Sequence, residues 1–295
     1  MSYHKCAEEG CPFKPISFTN YCWQHIPDKK MYLKKLRRNI ENSVAPVTLD
    51  KIVLNGYDLS GLDLRSASFM GAMLIDVDFS DSNLTNINLK RSFIQNSRFH
   101  NTKMVQATLS GTIILDSDFN EVDFSLVEGN LLKTRNCRFE KIYIKSADLK
   151  NTYWKEDVFE GVEISDSNFM MSFFDNIVIE NSKLDNALFS GSQFYNNEFK
   201  RNEFLEVNYI GCLIDNTHFH KINLQNCRFA TAIINKSEFE NCTITRPIMR
   251  ETQIVETRFL RSTVTSPVLQ RGIIIRSNLN IKKLVNANTE GLVVL

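Results

Sequence analysis

Side chains at positions 54, 59, 64 and onward in steps of five are apolar as far as 284, with Gly129 and Thr134 the only exceptions. The register never slips. The chain is 43% hydrophobic, so chance would fill fewer than half of these positions. A period of five is neither the alternation of a strand nor the 3.6-residue turn of a helix. A short period sustained over most of a chain implies a solenoid, in which each repeat packs only on its neighbours. Such a body offers long walls for partners and rarely a catalytic cleft.

The position two before each centre is mostly small, as at Ala67, Ala72, Ser92, Ala107, Cys137, Ala187, Cys212 and Cys242. A small residue followed two later by a large one places both inside, the small one at a crowded corner. The other three residues of each five are mostly Asp, Asn, Lys, Arg, Glu and Ser, which suits an outer surface. Every twentieth residue from 79 reads Phe79, Phe99, Phe119, Phe139, Phe159, Ile179, Phe199, Phe219, Phe239, Phe259, and another line reads Ile214, Ile234, Ile254, Ile274. Four pentads therefore make one coil. Residues 52–287 predict a square tube of about twelve coils, roughly 55 Å long at the ~4.8 Å spacing of strands. Hydrogen bonds would run from coil to coil, and stacked phenylalanines would fill the interior.

Segments such as Ser66-Ala67-Ser68-Phe69-Met70, Ser82-Asn83-Leu84-Thr85-Asn86 and Ser146-Ala147-Asp148-Leu149-Lys150 resemble those of pentapeptide-repeat proteins. The motif there is a small residue, then Asp or Asn, then Leu or Phe, then two variable residues. The resemblance covers most of the chain. It implies an all-β fold, a right-handed quadrilateral β-helix, and a binding or mimicry role in place of catalysis.

Ser125 to Arg135 breaks the pattern, because the centres Gly129 and Thr134 lack bulk. Either the tube bulges or bends there, with Leu126, Val127, Leu131 and Leu132 filling the gap, or one coil is underpacked. Pro247 and Pro267 share one corner line and each removes an amide donor.

Residues 1–45 have no five-residue register and read as a separate cap, with 46–295 as the β-helix. The cap holds Cys6, Cys11, Cys22 and His25, a C-x4-C-x10-C-x2-H spacing. Three thiolates and an imidazole are a structural zinc set. The alternative is free cysteines in a small apolar cap. Gly10 offers a tight turn, and His4 is a competing ligand candidate. Four protein ligands would close the site to catalysis. Pro12, Phe13, Pro15, Ile16, Phe18 and Trp23 are the candidate core, too few to fold without the metal.

A helix is predicted after Pro27, with Asp28 as N-cap and Leu33, Leu36 and Ile40 on one face. Lys29, Lys30, Lys34, Lys35, Arg37 and Arg38 crowd the rest. This is either a solvated face of a helix closing the first coil, or a nucleic-acid contact.

The chain carries 35 Lys and Arg against 34 Asp and Glu, a net charge of +1, so no polyelectrolyte partner is demanded. The start, MSYHKCAEEG, has no apolar core of a signal peptide, and no apolar run is long enough for a membrane span. Cys137, Cys212, Cys227 and Cys242 occupy the small inward position and read as packing residues, consistent with a reducing cytoplasm.

The walls differ. On the wall centred at 54, 74 and 94, outward residues include Phe93, Ile113, Tyr153, Phe173, Tyr195, Leu213 and Ile233. On the Phe-ladder wall the residues preceding the centres include Asp78, Arg98, Asp118, Arg138, Glu198 and Glu238. An apolar strip marks an interface, with a protein partner or a second copy as homodimer. Otherwise the chain's own ends cover it, or it is tolerated exposed strand. The expected function is a non-enzymatic protein-interaction scaffold with no small-molecule substrate. Alternatives are nucleic-acid binding through the cap, or the DNA mimicry of type II topoisomerase modulators that the resemblance implies. Mimicry needs an acidic rod, and this one is close to neutral.

Overall fold

The structure, a computed structural model, describes residues 5–295. His4 lies outside the described residues. The chain forms one helix, α1 (Lys29–Glu41), followed by three-residue parallel strands that turn a corner every five residues. Partners are always twenty residues apart, as in Phe199↔Phe219 and Trp154↔Phe174. Among the described residues the strands form sheets of 13, 9 and 7 members, the first three walls of the tube. The fourth wall is tied by single bridges such as Thr48↔Ser68 and Asn168↔Leu188. The expected β-solenoid of about twelve coils is the fold observed.

The corners explain the polar residues of the repeat. The residue two after each centre is left-handed from Lys51 to Arg276, with φ from 47° to 70°. Glycine and asparagine tolerate that region best, and Asn86, Asn96, Asn136, Asn176 and Asn216 are corner residues. Their amides also link coils: Asn136 Nδ2 donates to Asp116 Oδ1 at 2.9 Å, and Asn216 Nδ2 to Asn196 Oδ1 at 2.8 Å.

The small inward position is a hydrogen-bonding slot as well as a packing site. Ser237 Oγ accepts from the Thr217 amide at 3.2 Å and donates to the Ile214 carbonyl at 3.4 Å. Asn197 accepts from the Ile177 amide at 2.9 Å and donates to the Phe174 carbonyl at 3.1 Å. The thiols of Cys212 and Cys242 donate to the Phe189 and Phe219 carbonyls at 2.9 and 3.1 Å. Each slot thus ties its coil to the one before it, which is why the small residues are so often Ser, Thr, Cys or Asn rather than alanine alone.

The phenylalanine line is a buried stack. Phe79, Phe99, Phe119, Phe139 and Phe159 have centroids 4.6–4.9 Å apart with planes within 13°. Phe219 stacks on Phe199 at 4.9 Å and on Phe239 at 4.5 Å. A second line joins Phe169, Phe189, Tyr209 and Phe229.

The 125–135 stretch neither bulges nor bends. Lys133–Arg135 is an ordinary strand paired in register on both sides. Leu126 and Leu131 do not fill the gap: they are left-handed corner residues, 47% and 57% exposed. Val127 and Leu132 are buried, and Leu149 of the next coil reaches so close that a Cβ on Gly129 would meet its Cδ2 at 2.6 Å. Thr134 is buried beside Trp154. A small void remains, lined among others by Leu132, Thr134, Phe139 and Trp154. The underpacked coil is the reading that the structure supports.

The cap closes the first coil. Asp28 is the N-cap of α1, its Oδ1 accepting from the Met31 amide at 2.8 Å. Tyr32, Leu36 and Ile40 are the buried face, with Leu33 at its margin. Ile16, Trp23, Ile26 and these helix residues join one apolar core with the rod. The Ser17 amide donates to the Thr48 carbonyl at 2.7 Å, and the Thr48 amide to Ser17 Oγ at 2.8 Å, pairing the first edge of the rod. Among the described residues, no helix is long and apolar enough to cross a membrane.

Candidate metal centre and docking wall

Cys6 and Cys11 bracket a tight turn through Gly10, whose φ of 74° suits glycine. Cys22 begins the 3-10 turn Trp23–His25, which brings His25 round to the same point. The ligand atoms of Cys6, Cys11, Cys22 and His25 all lie within 4.8 Å of one another. Cys6 Sγ and Cys22 Sγ stand 3.5 and 3.4 Å from His25 Nδ1, and the Cys11 and Cys22 sulfurs are 3.9 Å apart. The three cysteines are buried. Burial pushes the Cys6 thiol up, but the Cys22 and Glu8 amides, His25 and the Cys22 thiol pull it down further, to about 6. The Cys22 amide donates to Cys6 Sγ at 3.3 Å, the kind of N–H···S bond that steadies a thiolate. This group can hold a metal ion.

The remaining cysteines differ. Burial pushes the Cys212 and Cys227 thiols up to about 12. They are packing and bridging groups.

The helix cations divide. Lys29, Lys30, Lys34, Lys35 and Arg38 are exposed, with Lys29 Nζ 5.5 Å above the Trp23 ring. Arg37 belongs to a latch. Its Nη1 donates to the Asp58 carbonyl at 3.0 Å and its Nη2 to the Ser60 carbonyl at 2.9 Å, with Asp58 Oδ1 at 3.1 Å and Glu41 Oε1 at 3.1 Å. Beside it the Tyr57 hydroxyl donates to the Leu33 carbonyl at 2.9 Å and accepts from the Arg37 amide at 3.0 Å. Arg37 holds α1 to the rod and is not part of a free basic face.

The outward columns of the 13-stranded wall carry the apolar residues noted above. Ile113 and Ile233 are exposed, and Phe93, Tyr153, Phe173, Tyr195 and Leu213 half-buried. Lys133 and Arg135 interrupt the columns, so the strip is two patches. Val53, Met73, Phe93 and Ile113 form one, and Tyr153, Phe173, Tyr195, Leu213 and Ile233 the other. Tyr153 and Phe173 stack with centroids 5.0 Å apart and planes within 2°, and Tyr195 leans on Phe173 at 5.3 Å. Their faces cover one another, so the wall presents ring edges. On the 9-stranded wall charges are paired, Arg138 with Glu160 at 2.6 Å and Arg201 with Glu180, and His220 is hydrogen-bonded to Glu240 at 2.8 Å.

Two features escape the five-residue register. The Tyr57–Arg37 latch has no sequence signal beyond a bulky residue at a small position. Asp157, a fully buried carboxyl, had one: it stands in the slot line of Ser97, Ser117, Cys137, Asn197, Thr217 and Ser237.

A family model described as pentapeptide repeats matches residues 52–92 in 8 copies. No curated protein matches the chain. One similar solved structure is a trypsin-treated variant of QnrB1, a plasmid-mediated fluoroquinolone resistance protein. It is 14% identical with a TM-score of 0.34, over 83% of this chain and 90% of that one. Another is HetL, a pentapeptide repeat protein involved in heterocyst differentiation regulation from the cyanobacterium Nostoc sp. strain PCC 7120. It is 12% identical with a TM-score of 0.20, over 91% and 95%. A third is PfbA, a surface adhesin of Streptococcus pneumoniae, at 12% identity and a TM-score of 0.35, over 91% and 90%. The repeat motif that the family model matches in the first coils, residues 52–92, keeps the same coil register through the sheets that follow.

Proposed function

We propose that the protein is a non-enzymatic interaction scaffold, a zinc-capped β-helical rod that docks a protein partner, or a second copy of itself, on its 13-stranded wall. The observation that carries this is the contrast between walls. One places Phe93, Ile113, Tyr153, Phe173, Tyr195, Leu213 and Ile233 on its outer face, while the next pairs its charges along the rod. Apolar patches of this kind mark interfaces, and large aromatic residues anchor them. Ring edges suit protein side chains better than bases or sugars, which stack on free faces. The deciding experiment is Phe173→Asp, read by light scattering and by affinity capture with wild type as control. A homodimer face gives a folded monomer, and a hetero-interface gives lost capture with an unchanged oligomer. A variant unchanged in both removes the wall from the reading.

Zinc is the metal the donor set fits. Bonds of about 2.3 Å to sulfur and about 2.0 Å to nitrogen in a tetrahedron put ligand atoms roughly 3.5–3.8 Å apart. Three of the six separations here are 3.4, 3.5 and 3.9 Å, and all six lie within 4.8 Å. Four protein ligands make the role structural. The cap (1–45) and the rod (46–295) are then two units joined by one core. All seven cysteines are unpaired, which suits the cytoplasm.

The exposed cations Lys29, Lys30, Lys34, Lys35 and Arg38 support a second reading, nucleic-acid binding by the cap. Its mark is affinity that falls steeply with salt. The near-neutral rod gives DNA mimicry less support, and a topoisomerase supercoiling assay without effect would remove it.

A further inference from the structure

Asp157 occupies an inward slot with no cation beside it. Its Oδ1 accepts from the Cys137 amide at 2.8 Å. Its Oδ2 accepts from the Thr134 hydroxyl at 2.6 Å and the Lys155 amide at 3.1 Å. The nearby cations turn outward: the Lys155 ammonium lies 3.5 Å from Asp175 and 3.8 Å from Glu156, and Arg135 lies 3.7 Å from Glu156. The other groups around it are the Cys137 thiol one coil before, apolar Ile177 one coil after, and the Glu156 carboxylate next in the chain, whose charge opposes ionisation. The site is also where the core is thinnest, between the small centres Gly129 and Thr134 and the void beside Trp154.

Asn197 and Asn202 show what the slot requires. Each accepts from the amide twenty residues earlier, at 2.9 and 2.8 Å. Each also donates to the carbonyl twenty-three residues earlier, at 3.1 and 2.8 Å. A carboxylic acid has a donor and an acceptor, as a carboxamide does, whereas a carboxylate has acceptors only. By the same register a protonated Asp157 would donate to the carbonyl of Thr134, whose hydroxyl bonds Oδ2.

We infer that Asp157 makes the coils around Thr134 and Trp154 a proton-controlled joint of the rod. Protonated, it fills the slot as a neutral group, as Asn197 and Asn202 do; ionised, it puts a charge into the core with no cation beside it, and the coils there lose stability. The two apolar patches of the 13-stranded wall meet at this level, where Lys133 and Arg135 separate them.

Burial pushes the carboxyl up to about 7, against the pull of Thr134 and the Cys137 and Lys155 amides. The folded value exceeds the unfolded one, so the stabilisation is complete below about pH 4, the ordinary carboxylate range. It is lost as pH rises through about 7. In that window the unfolding constant rises by up to tenfold per pH unit, and above it this contribution is flat.

The test is thermal unfolding of the full chain from about pH 5 to about pH 8, compared between wild type and Asp157→Asn at each pH. Wild type should lose several degrees of Tm across the range, while Asp157→Asn holds its Tm. Thr134→Val removes a donor to the ionised form and should extend the wild-type decline to higher pH. Parallel pH profiles of wild type and Asp157→Asn would overturn the inference, and so would a wild-type profile without slope.

Discussion

In the rod, Phe219 lies between Phe199 and Phe239 at 4.9 and 4.5 Å, and each coil repeats the contacts of the one before it. In the cap, Cys6, Cys11, Cys22 and His25 converge on one point, and Phe13 and Tyr21 are the partly buried apolar residues around the cysteines. The rod is held by many weak, redundant contacts, so losing one leaves its neighbours in place. The cap brings four side chains to a single point, a group that can hold a metal ion. What joins the two is itself mixed: the apolar face of α1, and the polar latch of Tyr57 and Arg37. Redundancy makes a long wall tolerant of change, whereas convergence makes the end cap sensitive to the loss of any one of the four.

The largest effect expected is on the metal side of this contrast. Structural zinc sites supply on the order of 10–16 kcal/mol of apparent binding free energy to zinc-finger peptides. Purified protein should contain about one zinc per chain, and Cys22→Ser should lose it. Hydrogen exchange should then rise through the first twenty-six residues while the phenylalanine stack stays protected. Equal zinc content in Cys22→Ser and wild type would remove the site. Because Ile16, Trp23 and Ile26 belong to the rod's core, some fraying of the first coil is expected too, and its reach measures how independent the cap is.

On the rod side, Phe219→Ala should cost about 3–5 kcal/mol through the cavity it leaves between two rings. Denaturant unfolding measures this. Redundancy predicts increased exchange confined to the coils next to Phe219, with the cap unaffected. Loss of protection along the whole rod would mean that the coils unfold as one unit.

The junction should respond less. Tyr57→Phe removes the hydroxyl that donates to Leu33 and accepts from Arg37. A loss of about 1 kcal/mol is expected, with α1 amides exchanging faster while the rod's do not. An unchanged α1 would assign the hold on the helix to its apolar face alone.

The rod was readable because its core obeys an arithmetic that a single sequence displays. A residue such as Phe139 announces its place by its number. The corners were readable in kind but not in conformation, since asparagine in the outer positions looks like surface polarity until the left-handed φ of Asn136 or Asn216 is seen. The underpacked coil was located but not resolved, because only coordinates show Leu149 filling the space above Gly129. The grouping of Cys6, Cys11, Cys22 and His25 was legible from spacing alone. Arg37 was grouped with the free cations because its partners, the Asp58 and Ser60 carbonyls, are backbone atoms that no side-chain pattern reports.

The smallest effect concerns a place where the rod breaks its own rule. Tyr209 continues the line of Phe189 and Phe229, stacking on them at 5.5 and 5.1 Å. Its ring does what phenylalanine does elsewhere. Its hydroxyl is buried and has no hydrogen-bond partner among the described residues, although the slots around it bond theirs. A buried unpaired hydroxyl costs about 1–3 kcal/mol in lost hydration. Tyr209→Phe keeps the stack and removes the orphan group, so it should stabilise the rod by about 1 kcal/mol, seen as a higher denaturant midpoint with unchanged slope. The same tyrosine-to-phenylalanine change weakens the junction at Tyr57 and strengthens the rod at Tyr209, because the first hydroxyl has two partners and the second has none. Equal losses at both sites would mean that the Tyr209 hydroxyl is satisfied in solution, and the rod's interior would then be wetter than its stacked rings imply.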